Sequence, residues 1–227
     1  MIIAIDGPAG SGKSTTAQEV ARRLGFLHLD SGALYRAFAL AACERAWVGP
    51  EGDVSRARIP ELAAVNVEGE VVGGTIVPLL DGRRLDQEIR TAEVTASASK
   101  VSAHPEIRRQ VNAVLRQLAA QHPTGIVCEG RDMATVVFPD AELKIYMDAR
   151  PEERARRRLL QRGEDVSPEK VSAEAARLVA RDTHDSRRQA APLRKAEDAV
   201  VLDTTRLSFE EQVAEIVGAA RRLLGKA

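Results

Sequence analysis

Gly7-Pro8-Ala9-Gly10-Ser11-Gly12-Lys13-Ser14 decides the reading of this chain. The spacing is that of a phosphate-binding loop, Gly-x-x-x-x-Gly-Lys-Ser/Thr. Glycines leave no Cβ in the way, so backbone N–H groups can converge on a phosphate. The apolar run Ile2 to Ile5 before the loop suits a strand buried on both faces. A helical pattern from Lys13 to Leu24 follows and stops at Gly25, so the loop opens onto a helix N-terminus, which attracts anions. Residues Gly7 through Ser14, with Thr15 next in the helix, are therefore the expected ATP-binding set. Lys13 reaches the β- and γ-phosphates, and the Ser14 hydroxyl is placed to ligate Mg²⁺.

Outward from the loop, apolar runs alternate with helical patterns. Phe26 to Leu29 reads as a strand, Ser31 as an N-cap, and Leu34 to Cys43 as an Ala-rich helix. Between Pro60 and Ile89 the pattern changes to short strands with tight turns, Val65 to Gly69 and Thr75 to Gly82, which predicts a small antiparallel insertion. Helical spacing returns from Glu93 to Leu118, interrupted near Pro105. Further strands are expected at Gly125 to Cys128, Leu143 to Met147 and Ala199 to Leu202. Charged helices are expected at Pro151 to Arg162 and Pro168 to Arg188, and Ser208 with Glu211 has capping-box spacing before a final helix. This alternation predicts an α/β fold, a P-loop NTPase-type parallel sheet flanked by helices.

Composition narrows the function. The 227 residues are 44% hydrophobic and only 3% aromatic, so the core is aliphatic. Lys+Arg and Asp+Glu balance at 33 each, which argues against a general nucleic-acid or membrane-surface binder. Cys43 and Cys128 have no paired-ligand spacing, so reduced thiols are expected and a structural zinc site is not. No run has the length of a signal peptide or a membrane span, so the expectation is a cytoplasmic protein, by default a monomer. The cations are 27 Arg and 6 Lys. That bias fits a GC-rich genome as well as it fits phosphate forks, and only position separates the two.

Position favours a second phosphate. The chain lacks the Asn-Lys-x-Asp segment that reads guanine, which disfavours a GTPase. Asp30-Ser31-Gly32-Ala33-Leu34-Tyr35-Arg36 and Glu129-Gly130-Arg131-Asp132 each follow a predicted core strand, at the sheet edge where open α/β sheets bind ligands. Arg181, Asp185 and Arg188 share one helix face, although by themselves they suit a solvated helix better. Arg154-Ala155-Arg156-Arg157-Arg158 is similarly open between a lid over ATP and an exposed face.

Taken together, the P-loop, the segment Asp30 to Arg36, Glu88-Ile89-Arg90-Thr91, Glu129 to Asp132, Thr135 to Ala141, Arg181-Asp182-x-x-Asp185-x-x-Arg188 and Ala191-Pro192-Leu193 resemble bacterial cytidylate kinases almost from end to end. The resemblance implies a kinase core over residues 1–35, 100–150 and 169–227. It implies a monophosphate-binding region over 36–99, with its insertion near 60–89, and a short helical lid over 151–168. It implies transfer of the γ-phosphoryl group of ATP to CMP or dCMP with Mg²⁺. Tyr35, Arg36 and Arg131, with Ser31 beside them, would hold the acceptor phosphate. Ser99, Arg108, Asp132 and Arg188 would read cytosine, Arg181 and Asp185 would meet the sugar, and Arg157 or Arg158 would reach ATP. Lys13, Arg36 and Arg131 would carry the catalysis. Met133-Ala134 departs from the Ile-Gly usual in the family, which predicts altered kinetics at most. Two rivals stand beside this reading: a kinase of the same architecture for UMP, dTMP or shikimate, and a P-loop regulatory or nucleic-acid-binding protein that uses ATP as a switch.

Overall fold

The structure is a computed structural model and describes residues 1–225. Backbone contacts divide the chain into two compact units, Met1–Gly25 with the chain from Val127 onward, and Phe26–Ile126.

In the first unit β1 (Ile2–Asp6), β6 (Ile126–Gly130), β7 (Leu143–Asp148) and β8 (Val200–Asp203) lie in the order β6-β1-β7-β8. β1 pairs parallel with β7, and β7 parallel with β8. Ile3, Ala4 and Ile5 are fully buried, as a continuous apolar run in a central parallel strand should be. The helices are α1 (Lys13–Leu24), α6 (Pro151–Gln161), α7 (Pro168–Arg187) and α8 (Phe209–Leu224). Ser208 and Glu211 form the predicted capping box at α8: the Ser208 hydroxyl accepts from Glu211 N at 3.3 Å, and Glu211 Oε2 accepts from Ser208 N at 2.8 Å. Beyond β6 the chain makes a π-helical turn over Met133–Val137, an element without a sequence signal of its own.

The second unit is built on β2 (Leu27–Asp30) and α2 (Ser31–Glu44). The α2 sequence is apolar around most of its circumference, and Leu34, Ala37, Phe38 and Ala41 are accordingly buried. Its N-cap is Asp30, not Ser31. Asp30 Oδ1 accepts from Ala33 N at 3.2 Å, while Ser31 is already the first helical residue. β3 (Val67–Val72) and β4 (Thr75–Leu80) form the predicted antiparallel hairpin, extended by β5 (Arg83–Arg84). β4 also pairs parallel with β2 through Thr75 and His28, so the hairpin is continuous with the strand that leads into α2. The short α3 (Ile59–Ala63) precedes it; α4 (Ala92–Val101) and α5 (Pro105–Gln121) follow. Pro105 separates the last two because it begins a new helix at its first turn. In the loop before α3, Trp47 lies between two guanidinium groups, with Arg45 5.7 Å and Arg58 5.4 Å from the ring centroid. Among the described residues no helix is long and apolar enough to cross a membrane.

The turn out of β1 is set by crowding. Gly7 has φ +147°, and a Cβ there would lie 2.0 Å from the Met147 carbonyl oxygen of β7. Any side chain would push the loop off the sheet. Gly7→Ala is expected to destabilise the protein by about 2–4 kcal/mol, from backbone strain plus overlap. Gly163→Ala, where an added Cβ meets nothing within 4 Å, should cost about 1 kcal/mol. Urea denaturation of both variants checks the contrast.

Candidate active site

The loop after β1 ends at Gly12, the N-cap of α1, with φ +92°. No side chain caps this helix and no acidic residue occupies its first turn, so the first amides keep their pull on an anion. Lys13 is buried and donates from Nζ to the Pro8 carbonyl at 2.6 Å and to Ser11 Oγ at 3.2 Å. Burial, followed by the charge of Arg131, pushes its proton affinity down to about 7, against the pull of Glu129, Asp6 and Asp182. The Ser14 hydroxyl donates to Glu129 Oε2 at 2.8 Å. A hydroxyl and a carboxylate side by side are hard oxygen donors of the kind Mg²⁺ takes alongside phosphate oxygens and water. Thr15 Oγ1 donates back to Gly12 O at 3.0 Å.

Ala9 at the tip of the loop is held by α6 and α7. Its N–H donates to Asp182 Oδ1 at 2.9 Å, and its carbonyl accepts from Arg154 at 2.9 Å. Its methyl is buried with Ala155, Leu159, Val171, Ala175 and Leu178. Arg157 donates to Glu153 and, at 3.0 and 2.6 Å, to the Thr204 hydroxyl and carbonyl. The Thr204 hydroxyl reaches Ser11 O at 3.2 Å, so Arg157 connects to the loop through Thr204. Arg158 Nε lies 3.4 Å from Glu174 Oε1.

A second group forms around Asp185 on α7. Arg131 Nε donates to its Oδ2 at 3.0 Å, and Arg188 approaches its Oδ1 at 3.0 Å. Burial opposes the charge on Asp185, yet Arg131, Arg188 and Arg181 outweigh it and hold the carboxyl below the usual range. Arg181 is drawn down to about 10 by burial and by Arg131, with Arg158 adding to the repulsion. Guanidinium groups rarely lose proton affinity, and the loss here marks burial first and neighbouring positive charge second. Asp132 is buried beside this group. The amides after it, Met133 N and Ala134 N, each donate to Asp6 at 2.8 Å, and its own carbonyl accepts from Val136 N at 2.9 Å. Burial pushes the Asp6 carboxyl up to about 6, against those two amides.

In the second unit Asp30 pairs with Arg36, Oδ2 to NH2 at 2.8 Å. Gly32 makes room for the pair, because a Cβ there would lie 2.9 Å from Asp30 Oδ1 and 3.1 Å from the Arg36 guanidinium. Ser31 and Tyr35 are buried on the same helix. The Arg108 guanidinium lies 5.3 Å from the Tyr35 ring centroid and donates to Ser102 O at 2.8 Å; the Ser102 hydroxyl donates to Ser99 O. The first unit thus gathers Lys13, Ser14 and Glu129, and separately Arg131, Arg181, Asp185 and Arg188. The second gathers Tyr35, Ser99 and Arg108. Sequence reasoning gave no role to Asp6, Glu129, Asp182 or Thr204, and it left Arg154, which is buried, open between a lid over ATP and an exposed face. Glu129 and Asp182 lie inside quoted motifs, whereas Asp6 and Thr204 have no local signal.

The chain is similar to known proteins over nearly its whole length. The cytidylate kinase family model matches residues 3–222. The cytidylate kinase of Solibacter usitatus is 45% identical over 222 residues, covering 96% of this chain and 92% of that protein. That of Aeromonas salmonicida is 42% identical over 229 residues, covering 100% and 96%. Among solved structures, an uncharacterized protein from Eubacterium ventriosum superposes with a TM-score of 0.52 at 12% identity over 97% of this chain and 98% of that one, a likeness of fold alone.

The displaced proton affinity of Lys13 has a measurable sign. A lysine that titrates near 7 when folded and near 10.5 when unfolded penalises the folded state fully below pH 7. The penalty is relieved as pH rises through that window. Wild-type Tm should therefore gain on that of Lys13→Met between pH 7 and pH 10, whereas parallel Tm curves would mean an ordinary lysine.

Proposed function

The chain belongs to the cytidylate kinase family, and we infer that it is an ATP-dependent phosphotransferase that moves the γ-phosphoryl group to CMP or dCMP, giving ADP and CDP or dCDP. The observation that carries this reading into the structure is the crowding of cations. Burial first, and then the charge of Arg131, lowers the proton affinity of both Lys13 and Arg181, and a polyanion among such buried cations would offset both costs.

The nucleophile is an oxygen of the acceptor phosphate, whose second pKa of roughly 6 leaves it largely dianionic at neutral pH. It attacks the γ-phosphorus, the bond to the β,γ-bridging oxygen breaks, and ADP leaves. No protein base is needed, and catalysis is positioning plus neutralisation of charge. Lys13, Arg36 and Arg131 are assigned to that neutralisation. The first amides of α1 and residues Gly7 to Thr15 are assigned to the phosphates of ATP, with Arg157 or Arg158 beside them. Mg²⁺ fits at Ser14 with Glu129, where it would supply charge neutralisation on the β- and γ-phosphoryl oxygens.

The acceptor is assigned residue by residue from the family resemblance. Ser31, Tyr35, Arg36 and Arg131 take its phosphate. Arg181 and Asp185 take the sugar, and Ser99, Arg108, Asp132 and Arg188 take cytosine. A carboxylate accepts from the exocyclic amine of cytosine and arginine donates to its ring acceptors; uracil reverses those edges and leaves buried groups unpaired. Arg108 and Asp132 are both buried, so a base that met them would do so away from bulk water. The same reading takes the protein as a cytoplasmic monomer, close to its supply of ATP.

ADP release from Mg-ATP, measured with CMP, dCMP, UMP, AMP, GMP and dTMP in turn, should be strong with CMP and dCMP and weak with UMP. Dominance of another monophosphate would remove the roles given to Ser99, Arg108, Asp132 and Arg188. Lys13→Ala and Arg131→Ala should each lower turnover by about 100-fold or more, and wild-type rates would refute their assignment. Asp132→Asn should narrow the CMP/UMP ratio while leaving the KM for ATP near its wild-type value.

A further inference from the structure

Asp182 belongs to no substrate-contact set above, although it is flanked on α7 by Arg181 and, one helical turn on, by Asp185. Its carboxylate turns to the P-loop. One oxygen accepts from Ala9 N at 2.9 Å, and the other pairs with the Arg154 guanidinium of α6. Arg154 itself donates to the Ala9 carbonyl at 2.9 Å. Both backbone polar groups of Ala9 are thus satisfied from α6 and α7, and its methyl is packed in the apolar layer between those helices. Gly10 extends the contact, since a Cβ there would lie 3.2 Å from Arg154 Cβ. The tip of the donor loop is bonded to the helix that presents Arg181, Asp185 and Arg188.

We propose that Asp182 is a positioning residue that fixes the tip of the ATP-binding loop to the acceptor-binding helix, so that the two phosphates meet in line. The inference rests on the kinase reading above and deepens it. Asp182 contributes little to holding either nucleotide, because Ala9 N–H is already engaged and the binding groups lie elsewhere. It contributes to the alignment of donor with acceptor, where small displacements cost large factors in rate.

The expected signature is a split between kcat and KM. Asp182→Ala should lower kcat by about 10- to 100-fold, with the KM values for ATP and CMP within about threefold of wild type. Asp182→Asn keeps an acceptor for Ala9 N–H and should recover kcat to within about fivefold of wild type. Because Asp182→Ala leaves the buried Arg154 without its carboxylate, the comparison includes Arg154→Met/Asp182→Ala, which removes the charge together with its partner. Calorimetric stoichiometry for a non-hydrolysable ATP analogue reports the folded fraction of each variant. The proposal is overturned if kcat of the folded Ala variants stays within twofold of wild type. It is also overturned if Asn and Ala fall equally, or if the loss appears in the KM for ATP. The variant-to-wild-type ratio is read with whichever monophosphate the wild type prefers, so a wrong acceptor assignment and a wrong role for Asp182 give different results.

Discussion

Like charges must be kept close together in this protein, and the rest of the site follows from how that is done. Lys13, Arg131, Arg181 and Arg188 are gathered in one unit, and repulsion among such groups is large once water is partly excluded. Lone carboxylates at the surface would not hold them. Asp185 does so from the interior, gripping Arg131 and Arg188 with separate oxygens. Glu129 and Asp182 offset part of the charge near the loop. The arrangement trades stability for readiness: a polyphosphate entering it meets cations already assembled and needs little reorganisation.

Other carboxylates act as struts. Asp6 takes two consecutive amides and thereby sets the π-helical turn that begins after Asp132. Asp30 caps α2 with one oxygen and holds Arg36 with the other. Acids withdrawn from water are costly unless hydrogen-bonded; Asp6 is buried, Asp30 is partly buried, and each is used at both oxygens. Each of these carboxylates ties down a stretch of backbone that would otherwise be loop.

Features carried by local spacing were legible in the sequence. The P-loop, the capping box at Ser208, the antiparallel hairpin and the alternation of strands with helices all come from neighbours along the chain. The N-cap of α2 was misplaced by one residue because Asp30 and Ser31 are both good caps; the pairing of Asp30 with Arg36 is what favours the aspartate. The contacts of Ala9 with Asp182, of Ser14 with Glu129 and of Asp6 with Met133 join positions more than a hundred residues apart. No periodicity announces such meetings. The substrate roles proposed for Ser99 and Arg108 come from family resemblance rather than from spacing, since a serine and an arginine on helices have many bland explanations.

Trp47 is the single tryptophan of the chain and sits in the second unit between Arg45 and Arg58. Its fluorescence excited at the red edge of protein absorption is therefore a built-in optical probe of that unit alone. The flanking guanidinium groups polarise the indole environment, so loosening of the loop registers as a change in emission wavelength. Chemical unfolding followed by this signal, set against circular dichroism of the whole chain, separates the melting of one unit from that of the other without any label.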